Sequence, residues 1–105
     1  MSKNAVTNLA LATGLLPPAG WQSLVLGKAG DVQIKLFKVD PGGLQQETHV
    51  AWSESLIMIK GEMQVEINGS IHTVRAGEYL NIPAGQSHSI CPGGHGHFLL
   101  IDPEP

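Results

Sequence analysis

From Ser23 onward, hydrophobic and polar residues alternate in short runs, and no stretch shows a helical period. The clearest run is 32–39. Val32, Ile34 and Leu36 fall on one side, and Gln33, Lys35, Phe37 and Val39 on the other, which is the two-residue period of a strand. With a strand at 23–26 and a turn at Gly27-Lys-Ala-Gly30, it predicts a hairpin. Further strands are predicted at 44–50, 55–60, 63–67, 70–75, 79–82, 88–90 and 98–101. The run 55–60 is almost continuously apolar, as expected of a strand buried on both faces, and Gly61-Glu62 is expected to turn the chain after it. Asn68-Gly69 is the strongest hairpin signal, because both central residues of a type I′ turn need positive φ. Nine short strands punctuated by glycine-rich turns predict an all-β sandwich or barrel.

The first twenty residues differ. Pro17-Pro18-Ala-Gly20 argues against regular structure, so 1–20 is expected to be an arm, loosely ordered or with a short turn of helix covering an edge strand. Trp21 is expected to pack this arm onto a single barrel domain spanning 21–105.

A chain of 105 residues predicts one domain, with a modest core for which dimerisation is an ordinary supplement. Its net charge is −3 and its basic residues are scattered, so no nucleic-acid partner is expected. Cys91 is the single cysteine, which excludes an intrachain disulfide and suits a reducing cytoplasm. The apolar stretch 5–16 is too short for a bilayer and has no cleavage signature, so no membrane partner and a cytoplasmic location are expected.

The candidate chemistry lies in Glu47-Thr-His49-Val-Ala-Trp-Ser-Glu54 and in Gly77 to His88. Glu47 and His49 share a strand face by their spacing, with Gln45 beside them. Two carboxylates, Glu47 and Glu54, and two imidazoles, His49 and His88, converging inside a small barrel would make a divalent metal site. These donors suit Fe, Mn, Co, Ni, Cu or Zn.

Glu47-x-His49-(x4)-Glu54-(x6)-Gly61 resembles the first motif of the cupins, Gly-(x5)-His-x-His-(x3–4)-Glu-(x6)-Gly. Gly77-(x5)-Pro83-x-Gly85-(x2)-His88 resembles their second, Gly-(x5)-Pro-x-Gly-(x2)-His-(x3)-Asn. The likeness spans roughly 32–102 and is nearest to small single-domain cupins similar to mannose-6-phosphate isomerase. Two positions depart: Glu47 replaces the first His, and Pro92 replaces the final Asn. The alternative register, with His49 first and Ala51 second, puts Glu54 one residue early.

The resemblance implies a double-stranded β-helix, or jelly-roll barrel, with His49, Glu54 and His88 as ligands of a divalent metal such as Fe, Mn, Ni or Zn. Glu47 is either a fourth ligand or a base beside bound water; alternatively it faces solvent at the barrel mouth. Tyr79 is the second candidate for proton handling. Three functions stay open: a metal-dependent dioxygenase or isomerase acting on a small molecule, a non-catalytic ligand-binding module, and a metal-free structural homodimer. Leu56, Met58 and Ile90 are expected to line the pocket, Trp52 to gate its mouth or pack across a dimer, Asn81 to offer a polar contact, and His97 to point inward. The spacing Cys91-(x3)-His95-x-His97 resembles a zinc site only faintly.

Overall fold

A computed structural model describes residues 5–17, 20–48 and 51–103. These carry one short helix and eight strands. Helix α1 (Leu9–Gly14) is capped by Asn8, whose side chain accepts a hydrogen bond from the Leu11 N–H. Six residues are too few for a helix to hold by itself. It persists because Ala12 and Thr13 are buried and the helix packs on strand β2. That strand lies between two others, so the helix covers a sheet face and not an edge.

Strands β1 (Ser23–Ala29) and β2 (Val32–Lys38) form the predicted hairpin. Gly27 does not turn the chain. It sits at a bulge, where the register shifts between Val25 and Gly27, and the turn falls at Gly30-Asp31. β3 is Leu44–Thr48, β4 Glu54–Ile67, β5 Ser70–Arg75, β6 Tyr79–Ile82, β7 Ser87–Ile90 and β8 His95–Asp102. The predicted turn at Gly61-Glu62 is absent. One 14-residue strand replaces the two expected at 55–60 and 63–67.

β4 organises the jelly roll. Its first half pairs with β6 and β8, and its second half with β5 and β7. β2 and β1 extend the first sheet beyond β8, and β3 extends the second beyond β7. In the first half the buried residues are Glu54, Leu56 and Met58; in the second they are Met63, Val65 and Ile67. A register shift between Met58 and Lys60 makes that change of parity, so both halves turn buried side chains to one interior. Gly61 has φ +80° and lies opposite Gly96 in the ladder; a Cβ on Gly61 would strike the His95 carbonyl. This glycine serves the close approach of two backbones where the strand bends between sheets.

The intervening residues of 55–60 are only half-buried, so this segment is not covered on both faces as its apolar run suggests. The core between the sheets includes Leu56, Met58, Met63, Val65, Val74 and Phe98, with Trp21, Phe37 and Leu100 packed against it. Within it lies a buried ion pair, Lys35 Nζ to Asp102 Oδ1 at 3.0 Å. At the turn between β4 and β5, Asn68 and Gly69 both have positive φ, as the type I′ signal requires.

Candidate functional site

The site is assembled from both sheets. In the second, β3 pairs with β7 so that Glu47 faces His88. Leu44 pairs with Ile90, so three steps along β3 match two along β7. The bulge brings Leu44 and Glu47 to the same interior face, and both line the cavity. Gln45, expected beside Glu47, lies in that irregular stretch; it is exposed and does not line the cavity. From the first sheet, Glu54 opens β4 at a buried position.

Three titratable side chains meet here. His88 Nε2 lies 3.2 Å from Glu54 Oε1 and 3.9 Å from Glu47 Oε2. His88 and Glu54 are each 6% exposed, whereas Glu47 is 44% exposed and stands at the mouth. The two readings of Glu47 are therefore compatible, since it lines the cavity and touches solvent. The hydrogen bond to Glu54 raises the His88 pKa above 6.5. Burial opposes the shift, while the charge of Glu54, a backbone hydrogen bond with Gln86 and the charge of Glu47 reinforce it.

The three residues close one side of a cavity of about 230 Å³. Its other walls are apolar. Phe37 and Phe98 stack with centroids 5.3 Å apart, and Trp21 meets both at 6.4 Å. The Trp21 Nε1–H donates to the Gly43 carbonyl at 2.9 Å, which fixes the indole against the cavity. Leu56 and Ile90 line the wall as expected, but Met58 is fully enclosed in the core and does not. The aromatic wall was not singled out in the sequence. Its signal was the placement of Phe37 opposite Leu36 in the alternating run.

Other candidates lie elsewhere. Tyr79 is 61% exposed, its hydroxyl hydrogen-bonds the Ser55 hydroxyl at 2.9 Å, and it does not line the cavity. Asn81 is exposed in register with Ser55. Trp52 is half-buried beside Glu54, Pro83 and His88, behind the carboxylate–imidazole pair. His97 is buried but does not point inward; it lines a separate cleft under α1. Cys91 is half-buried and His95 exposed, and they gather no zinc site with His97 among the described residues. His49 lies outside the described residues.

Among the described residues no three His, Cys, Asp or Glu groups form a ready-made metal cage. The donor set nevertheless suits a cation. Donors about 2.1 Å from one ion, at right or tetrahedral angles, lie roughly 3.0–3.4 Å apart. The Glu54–His88 separation of 3.2 Å matches that spacing, and the 3.9 Å to Glu47 needs only a small movement of an exposed side chain.

Residues 35–101 match the family model of the cupin domain. No curated protein matches the sequence. Several solved structures share the fold. A cupin-2 domain-containing protein from Shewanella frigidimarina superposes with a TM-score of 0.81 at 25% identity, covering 94% of this chain and 95% of that one. A protein from Neisseria meningitidis gives 0.78 at 26% identity, with coverage of 92% and 97%. A candidate mannose-6-phosphate isomerase from Ralstonia eutropha gives 0.75 at 16% identity, with coverage of 94% and 97%, a likeness of fold alone.

Proposed function

Because this chain belongs to the cupin family, we propose that its interior site holds a divalent transition metal, Fe, Mn, Ni or Zn, and acts on a small, partly apolar molecule in the adjoining cavity. The observation that supports this most directly is the meeting of Glu54, His88 and Glu47 on one side of an otherwise apolar, aromatic-walled space. Glu54 and His88 would hold the cation, with His49 of the first motif as third ligand and Glu47 as fourth ligand or base. When bound, the metal supplies Lewis acidity toward a substrate oxygen.

The chain's own residues do the rest. Phe37, Phe98 and Trp21 exclude water and orient the apolar part of the substrate. Glu47, half in solvent and beside His88, accepts a proton from one atom of the bound molecule and returns it to another. Such proton transfer suits an isomerase; a dioxygenase would use the same ligands with the cavity open to oxygen. Tyr79 has no part in this reading, being on the outer surface. A homodimer also belongs to it, with edge strand β1 presenting exposed Leu24 and Val25 to a second copy.

Elemental analysis of protein purified without added metal tests the proposal. One equivalent of Fe, Mn, Ni or Zn is expected. His49→Ala and His88→Ala should lose it, Glu54→Ala should lose most of it, and Glu47→Ala the least. Full metal content in His88→Ala would refute the ligand assignment. A wild type without metal, whose melting is indifferent to chelator, would leave a small-molecule-binding or structural cupin. Light scattering tests the dimer.

A further inference from the structure

Outside the barrel interior, three basic residues stand in a row. His97 of β8 is the register partner of Lys38 on β2 and of Lys60 on β4. Residues directly opposite on neighbouring antiparallel strands have Cβ atoms about 4.5–5.5 Å apart. The three side chains therefore rise together from three adjacent strands. Helix α1 lies over them and leaves a cleft of about 590 Å³, walled by Ala10, Thr13 and Gly14 of the helix and by Lys38, Lys60 and His97 of the sheet. His95 adds a fourth basic side chain.

The charge of this cleft runs against that of the chain, which is −3 overall. Among the described residues no carboxylate lines it, and neither Lys38 nor Lys60 forms an ion pair. Glu62, the register partner of His95, lies 3.9 Å from Arg75. At the end of the helix the Ala12 and Thr13 carbonyls accept from the Leu15 and Leu16 N–H groups. Ala10 and Gly14 leave room that longer side chains would fill. His97 is 5% exposed, and burial together with the Lys60 charge lowers its pKa below 6.5. The lowered pKa favours the neutral ring, which can donate one N–H between two ammonium groups.

We propose that this cleft binds a small oxyanion, a phosphate or carboxylate group, through Lys38, Lys60 and the His97 ring. Two cations that pair with no anion among the described residues, flanking a buried donor, provide the charge-assisted hydrogen bonds that such a group takes. The volume beyond that group leaves space for the organic body of a metabolite. This site uses none of the residues of the interior cavity.

The test is NMR of the full-length, isotope-labelled chain, following the imidazole signals while inorganic phosphate or, separately, succinate is added at constant ionic strength in chloride. A saturable shift of the His97 signals, with exposed His72 unmoved, is expected for at least one of the two anions, and the tighter one names the preferred group. The Lys38→Gln/Lys60→Gln double variant should weaken binding at least about tenfold. Glu47→Gln, which alters only the interior site, should leave it unchanged. Drift without saturation for both anions, equal affinity in the lysine double variant, or altered affinity in Glu47→Gln would overturn the proposal.

Discussion

Replacing Lys35 by Met tests whether the ion pair beside the cavity wall behaves as a buried one. Lys35 lies on the same face of β2 as Phe37, and Leu100, its register partner, lines the cavity. Its ammonium is 3.0 Å from Asp102, with side chains 9% and 0% exposed. Exposed pairs contribute at most about 1 kcal/mol. Here Lys35→Met removes the 3.0 Å ammonium partner of a carboxylate that is 0% exposed, and breaking a buried pair in this way costs about 3–5 kcal/mol. In a domain of this size each kcal/mol moves Tm by about 4–8 °C, so Tm should fall by at least roughly 12 °C. Lys35→Met/Asp102→Leu should recover most of that loss, because the desolvation cost of the pair nearly offsets its attraction. Urea unfolding at pH 7, run as a double-mutant cycle, measures both. A single-variant loss below about 1 kcal/mol, or a double variant as unstable as the single, would refute the reasoning.

Further outcomes follow from the same geometry. In metal-free protein the raised pKa of His88 means that its imidazolium stabilises the fold fully below about pH 6.5 and less as pH rises through the raised value. In Glu54→Gln, NMR titration should show this pKa falling, since the largest raising cause is gone and burial remains; an unchanged value would contradict the assignment. His97 acts in the opposite sense: its lowered pKa means that stability is lost as pH falls below about 6.5, and His97→Gln should remove that loss from the Tm–pH profile. Gly61→Ala should cost more than about 2 kcal/mol by denaturant unfolding, because left-handed strain adds to a collision with the His95 backbone. Tyr79→Phe should change stability by no more than about 1 kcal/mol and leave metal content at the wild-type level.

What the sequence revealed divides by physical cause. Alternation located most of the strands, and Asn68-Gly69 located its turn, because side-chain period and positive φ are local properties. The fixed spacings of the two motifs singled out Glu54 and His88, which the fold brings to 3.2 Å across the two sheets. Gly61 was misleading. A glycine that lets two strands approach looks in sequence like one that turns the chain, and only the partner strand tells them apart. Bulges were equally hidden. The extra residue in β3 exchanged Gln45 for Leu44 at the cavity, and the one in β4 reversed its parity. The outward placement of His97 and Tyr79 was hidden for a related reason: alternation shows that neighbouring residues face opposite ways but not which way is inward, and His97 is buried by a helix on the outside.

The attachment of the three site residues divides them mechanically. Glu54 hangs from the strand that holds both sheets together, and His88 from a strand laced to it, so neither can shift unless the whole barrel opens. Glu47 is borne on β3, the outermost strand of its sheet, secured among the described residues by β7 alone. Amide exchange should accordingly be slowest along β4 and fastest along β3. A lineage adapting this scaffold to new molecules would find its hinge of variation at Glu47, while the Glu54–His88 half stays anchored.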